Sequence, residues 1–128
     1  MFDENMPPRI AKALNAFFEN EHDIVHMRDK FRAGIKDIEW INELSADGDW
    51  VIISQDRAIT RSKVEYAAFK RSKLIGFFLS RSLEKEKLIK KLERILVLWP
   101  TIEKQVTMVK PGAVFELPMK TTKLKQLK

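Results

Sequence analysis

Two short apolar runs, residues 50–54 (WVIIS) and 74–79 (LIGFFL, with a glycine at 76), limit most strongly how this chain can fold. Runs of this kind are typical of central parallel strands, which are buried on both faces. Segments with apolar residues at helical spacing lie around them, over 37–46, 63–71 and 83–97. Because parallel strands need helical crossovers, this alternation predicts an α/β fold with a mostly parallel central sheet covered by helices on both faces.

The remaining elements complete one predicted domain over residues 1–118, in keeping with a chain of 128 residues. Asp37 and Ser82 have the chemistry of helix N-caps. The lysine-rich tail, residues 119–128, is predicted to be disordered. The other predicted elements are a very short first strand, a helix over 8–19, a short strand over 22–27, a helix near 100–108 and an edge strand over 113–117.

Composition excludes several classes of protein. The chain has no cysteine, which rules out a disulfide framework, a thiolate metal site and a cysteine nucleophile. Its longest apolar runs are far shorter than the roughly 20 residues of a membrane span. The first residues include two acids and no long apolar stretch, unlike a signal peptide. We therefore expect a soluble cytoplasmic protein with no membrane partner.

The charges are divided unevenly along the chain. Residues 1–68 hold nine Lys or Arg and thirteen Asp or Glu, whereas residues 69–128 hold fifteen and five. A carboxylate-rich half joined to a basic half favours a metal site beside a surface that binds a polyanion. A solvated basic helix followed by a lysine-rich tail explains the same asymmetry, and this alternative stays open.

Acidic residues stand where several predicted elements begin or end. Asp3 and Glu4 follow the first strand, Asp56 follows the strand 50–54, and Asp37 and Glu39 begin a helix. The carboxyl ends of parallel strands meet at one edge of a sheet, so these carboxylates should converge there. Converging carboxylates repel one another unless a hard divalent cation such as Mg²⁺ or Mn²⁺ neutralises them. Taken singly, each is better explained as a cap, a turn residue or a polar terminus, whereas together and in this order they favour a metal site.

Three motifs, read in order, resemble the PIN-like nucleases. They are DENMPP at 3–8, DIEWI at 37–41 and VIISQDR at 51–57. Over about residues 2–118 the chain is most similar to the PIN-like toxins of VapC type, the nuclease halves of toxin–antitoxin pairs. The resemblance implies a three-layer α/β/α PIN-like fold, RNA cleavage that depends on Mg²⁺ or Mn²⁺, and a cognate antitoxin as partner.

The resemblance also implies roles for individual residues. Asp3, Asp37 and Asp56 would be the catalytic carboxylates that bind the metal. Glu39 is an alternative to Asp37 as the inward ligand, or supports it. The other residues to which the resemblance assigns a role are Glu4 and Asn5, which would support the carboxylates, and Arg57, Arg61 and Lys63, which would contact substrate phosphates.

Two other functions fit parts of the sequence. A non-catalytic PIN-like protein would bind RNA or a protein partner through the basic half and cut nothing. A phosphoacceptor receiver domain would share the acidic pocket, but its lysine should follow a strand, whereas Lys110 follows the predicted helix 100–108. The apolar stripe of the helix 83–97 favours a place in the core, and any surplus, together with Phe17, Phe18 and Trp40, could form a homodimer or bind an antitoxin.

Overall fold

The computed structural model describes residues 1–127 and contains helices on both faces of one four-stranded sheet. The helices are α1 (Pro8–Phe17), α2 (Met27–Lys30), α3 (Asp37–Asp47), α4 (Ala58–Arg61), α5 (Lys63–Arg71), α6 (Arg81–Glu84) and α7 (Leu88–Met108). The strands are β1 (Val51–Ser54), β2 (Ile75–Leu79), β3 (Val114–Leu117) and β4 (Lys125–Leu127).

The sheet is mostly parallel and has the strand order β1-β2-β3-β4. β1, β2 and β3 run parallel, and β4 pairs with β3 in the opposite direction. Ser54 lies opposite Phe78, and Phe78 lies opposite Glu116. The carboxyl ends of three strands therefore meet at one edge, as the sequence predicts.

The first residues form a minimal parallel strand beside β1. Phe2 makes isolated bridges to Ile53 and to His26. The amide of Asp3 donates to the carbonyl oxygen of Ile53 at 2.9 Å, which fixes the first acidic residue at the carboxyl edge. The strand predicted over 22–27 is reduced to that bridge at His26, because α2 begins at the next residue.

Side chains alternate between the two faces of the sheet, and each face is covered by helices. Ile53, Phe77 and Phe115 point into one apolar cluster, which α1 and α7 close. Ile52 and Phe78 point into the other, which α3, α4 and α5 close. This arrangement confirms the predicted α/β class with a mostly parallel sheet between two helical layers.

The helix after β2 differs from the prediction. α7 runs unbroken through Pro100, where the sequence predicts a break between two helices. Trp99 and Ile102, on either side of Pro100, are buried in the core, and this packing outweighs the hydrogen bond that proline cannot donate. The predicted cap, Ser82, is also wrong: Ser80 caps α6 by accepting from the amide of Leu83.

The basic tail is ordered where it is described. β4 pairs with β3, so β3 is not the edge strand that the sequence predicts. Arg94, buried on α7, donates to the carbonyl oxygens of Pro118 and Thr121 and ties the tail to the domain. The prediction of disorder from 119 onward failed because these long-range contacts leave no local signal. Residue 128 lies outside the described residues, and the boundary at 118 stays a prediction.

No helix in the described part of the chain has the length and apolar character that crossing a bilayer requires. Of the three aromatic residues predicted to form an association surface, Phe18 and Trp40 are buried, whereas Phe17 is 70% exposed. Phe18 and Trp40 thus belong to the core, the interpretation that the sequence favours, and association through the remaining apolar surface stays a prediction.

Candidate active site

The first carboxylate of the site, Asp3, is buried at the carboxyl edge of the sheet. Its Oδ2 accepts a hydrogen bond from Ser54 Oγ at 2.8 Å and another from Asn5 Nδ2 at 3.2 Å. Burial raises the pKa of Asp3, and these hydrogen bonds offset only part of that effect. Ionised Asp3 therefore lowers the free energy of unfolding relative to protonated Asp3, because its charge is removed from water.

Asp56 follows β1 and is linked to Asp3 through a shared amide. Asn5 Nδ2 donates to Oδ2 of Asp56 at 3.0 Å as well as to Asp3, so one side chain bridges the two carboxylates. Oδ1 of Asp56 accepts from the amide of Ala58 at 2.9 Å, where α4 begins. Asp56 therefore stabilises the turn before α4 through Oδ1, while its Oδ2 lies on the side of Asn5 and the cavity.

Asp37 is the first residue of α3 rather than its cap, which is Lys36. Its Oδ1 accepts from the indole Nε1 of Trp40 at 2.8 Å, and Trp40 is buried. Glu39 turns the other way and pairs with Arg32 at the surface. The structure thus places Asp37, and not Glu39, toward the other carboxylates.

Glu65 on α5 is a further carboxyl group beside Asp37, and the sequence did not predict it. Its pKa is raised by partial burial first, then by the charge of Asp37 and a hydrogen bond between the two carboxyl groups, and least by the charge of Asp56. The sequence around Glu65 indicates a helix start and not a functional site. Ser62 caps α5 by accepting from the amide of Glu65, as the S-x-x-E spacing predicts.

Asp3, Asp37 and Asp56 line a cavity of about 60 Å³, which holds only a few water molecules. Its polar wall includes Glu4, and its floor is apolar. The polar lining residues are Asp3, Glu4, Asn5, Asp37, Ser54 and Asp56, and the apolar ones are Met27, Ile35, Trp40, Ile52, Ile59 and Phe78. The three carboxylates that the sequence predicts to converge therefore share one cavity.

The electrostatics of the cavity are unbalanced. Among the described residues, no Lys, Arg or His forms a salt bridge with Asp3, Asp37, Asp56 or Glu65. An oxygen-only donor set with excess negative charge suits a hard divalent cation such as Mg²⁺ or Mn²⁺. Over residues 1–127, no three acidic or histidine side chains stand close enough together to hold a metal directly. The donor set therefore fits a cation that keeps several of its waters.

The predicted phosphate-binding residues lie around the cavity and do not line it. Arg57 is partly buried and pairs with Glu116 on β3. Arg61 ends α4 and Lys63 begins α5, and both side chains are exposed. Lys110, the residue that the receiver interpretation requires, precedes β3 and so lies at the opposite edge of the sheet from the acidic cavity. The receiver interpretation is therefore wrong.

A second contact that the sequence did not reveal joins α7 to the site. Lys91 Nζ donates to Oε1 of Gln55 at 2.8 Å, and Gln55 Nε2 donates to the carbonyl oxygen of Asn5 at 2.7 Å. Asn5 in turn bridges Asp3 and Asp56. A lysine 36 residues from its partner leaves no motif, so only the folded structure shows this connection.

The structure is that of an α/β domain with carboxylates gathered at the carboxyl edge of a mostly parallel sheet. The sequence model of the PIN-like domain family matches residues 1–81, more than half of the chain. The chain belongs to the PIN-like domain family, whose superfamily is of nuclease type. No curated protein and no solved structure matches the chain significantly.

Proposed function

We propose that this protein is an endoribonuclease that depends on Mg²⁺ or Mn²⁺ and hydrolyses phosphodiester bonds in RNA. One observation carries the proposal: the carboxyl groups of Asp3, Asp37 and Asp56 surround one small cavity in a PIN-like domain. The absence of a salt bridge to any of them, within the described residues, supports a cation as their partner.

Asp3, Asp37 and Asp56 would hold the cation, in part through the water molecules that it keeps. When bound, the cation would offset the negative charge of the cavity and stabilise charge that develops on the phosphoryl oxygens. Asn5 holds the carboxylates of Asp3 and Asp56 in a fixed relation to each other. Glu4 and Glu65 contribute further acidic groups, and partial burial followed by the charge of Asp37 raises the pKa of Glu65.

Arg61 and Lys63 would contact substrate phosphates on the side of the cavity formed by α4 and α5. Both are exposed, and neither forms a salt bridge among the described residues. Arg57 has a smaller part in this proposal, because its guanidinium group is already paired with Glu116.

We further propose that the protein is the toxin of a type II toxin–antitoxin module of VapC type, acting in the cytoplasm with a cognate antitoxin. This finer assignment depends on the three ordered motifs at 3–8, 37–41 and 51–57. Its test is expression in a bacterial host. We expect growth arrest with the wild type and normal growth with Asp56→Asn at equal protein levels. Arrest by both proteins would contradict the assignment.

Cleavage of mixed cellular RNA tests the nuclease proposal directly. The wild type should cut in Mg²⁺ or Mn²⁺ and be inactive in EDTA, and Asp56→Asn should reduce cleavage to background. Asp49→Asn is the matched control, because Asp49 is exposed and precedes the same strand at the opposite edge. Full activity of Asp56→Asn, or equal losses in the two variants, would overturn the proposal.

The second candidate function is a PIN-like protein that binds RNA or a partner without cutting it. The exposed basic residues of the second half of the chain favour it. The same assay separates the two functions: RNA bound by folded wild-type protein, with no cleavage in either metal, would support binding alone.

A further inference from the structure

A second group of basic residues follows β2, whose carboxyl end lies at the edge of the sheet that carries the acidic cavity. It is formed by Arg81, Lys85 and Lys87, which we call the α6–α7 basic face. All three side chains are exposed, and none forms a salt bridge among the residues described. None of the three was a candidate on sequence grounds, since each looks like a solvated helix charge.

The register of the sheet brings this face to the edge that carries the cavity. Ser54 of β1 lies opposite Phe78 of β2. Asp56 and Ser80 come two residues after this pair, beyond the ends of β1 and β2, so the chain leaves both strands at the same edge. Arg81 follows Ser80 directly and begins α6.

The contact of Lys91 with Gln55 places the beginning of α7 beside the same edge. Lys91 lies one turn into α7, and its partner Gln55 immediately precedes Asp56. Lys87 is the N-cap of this 21-residue helix, whose amino end carries partial positive charge. The beginning of α7 thus adds positive potential beside the acidic cavity.

The local charges leave this face free to attract an anion. The acids within it are Glu84 and Glu86, against three unpaired basic side chains. Lys90 is already paired with Glu93, and Arg57 with Glu116. Unpaired basic residues beside a carboxylate cavity suit a polyanion that must approach the acids without being repelled.

We propose that the backbone of single-stranded RNA crosses the cavity from the α4–α5 side to the α6–α7 basic face, so that Arg81, Lys85 and Lys87 bind phosphates on one side of the cleaved bond. This inference rests on the proposed function. It assigns the substrate phosphates to two flanks of the cavity and not to Arg61 and Lys63 alone.

Binding to a labelled single-stranded RNA of mixed sequence tests the proposal. The measurements use full-length protein that carries Asp56→Asn, so that no RNA is cut. The test variant adds Arg81→Gln, Lys85→Gln and Lys87→Gln. The matched control adds Lys73→Gln, Lys104→Gln and Lys110→Gln, three exposed and unpaired lysines away from the cavity.

We expect the test variant to bind RNA on the order of tenfold more weakly at low salt and the control to bind nearly as the parent does. The slope of log affinity against log salt should fall by about 2 in the test variant, because each phosphate contact in a single strand contributes roughly 0.7. Equal losses in both variants, or no loss in either, would overturn the proposal.

The double variant Lys85→Gln with Lys87→Gln, compared with Lys104→Gln and Lys110→Gln, keeps the test decisive if the triple variant does not fold. Cleavage by the protein without Asp56→Asn is measured separately. RNA cutting combined with equal binding losses would refute this surface and leave the nuclease standing. A selective binding loss without any cutting would support the surface and refute the nuclease.

Discussion

The apolar cluster under α1 and α7 and the acidic cavity at the carboxyl edge are built from the same strands but differ in energetics. In the cluster, Phe77 stacks on Phe115 with ring centroids 5.6 Å apart, and both are buried. In the cavity, Asp3 is buried as well, but burial raises its pKa. Burial stabilises the fold in the first region and opposes it in the second.

The alternation of side chains along a strand produces this contrast. Ile53 points into the apolar cluster, whereas the next residue, Ser54, holds Asp3 at the edge. The cluster can therefore be packed independently of the cavity. A site that destabilises the protein is tolerated because the rest of the core supplies the stability, which is the usual relation between function and stability.

Removing a large side chain from the apolar cluster should have the largest effect on stability. Phe77 is fully buried, so Phe77→Ala loses the transfer free energy of the ring and leaves a space that the sheet cannot close. We expect the free energy of unfolding to fall by about 3–5 kcal/mol, measured by urea denaturation. Phe17→Ala, at a position 70% exposed, is the control. An equal fall in the free energy of unfolding in both variants would contradict the conclusion that this cluster stabilises the fold.

Asp3→Asn should act in the opposite direction on the metal-free protein. The substituted amide keeps an oxygen that can accept from Ser54 and Asn5, but it has no charge to desolvate. We expect the free energy of unfolding in EDTA to rise by about 1 kcal/mol. Mg²⁺ should raise the Tm of the wild type and have much less effect on the variant. Destabilisation in EDTA would show that the charge of Asp3 supports the fold.

The same variant sharpens the comparison through its pH dependence. Because burial raises the pKa of Asp3, the folded protein retains a proton at pH values where the unfolded chain has released it. The stability contributed by Asp3 therefore falls as pH rises through that window. The increase in the free energy of unfolding caused by Asp3→Asn should be complete at pH values above the pKa of Asp3 in the folded protein. It should vanish at pH values below the pKa of Asp3 in the unfolded chain. A gain that is independent of pH would mean that the charge is not its cause.

The sequence predicted the two regions with unequal success. The central strands β1 and β2 followed from apolar runs, and the positions of Asp3 and Asp56 followed from the rule that carboxyl ends of parallel strands meet. β4 was missed because its pairing with β3 leaves no apolar run in the basic tail. Glu65 was missed because a glutamate three residues after a serine is also a normal helix start. The unbroken α7 was missed because tertiary packing around Pro100 outweighed its local effect.

Lys91→Gln should produce the smallest effect, and it tests how far the acidic cavity extends into the rest of the molecule. Lys91 reaches the carboxylates only through Gln55 and Asn5. We expect the apparent affinity for Mg²⁺, measured by thermal shift, to fall on the order of threefold, less than the 10- to 100-fold typical of groups that contact the ligands directly.

The neighbouring residue provides the matched control for this last prediction. Lys90 lies on the same helix but pairs with Glu93. It forms no hydrogen bond or salt bridge with the site among the described residues, so Lys90→Gln should leave the Mg²⁺ affinity unchanged. Lys91→Arg retains a donor and should restore most of the affinity. Net charge cannot cause such a fall, because removing a lysine charge favours the binding of a cation. If Lys90→Gln and Lys91→Gln weaken Mg²⁺ binding equally, the loss does not come from the contact with Gln55. The contacts that position the carboxylates would then extend no further than Asn5, and α7 would contribute only to the packing of the apolar cluster.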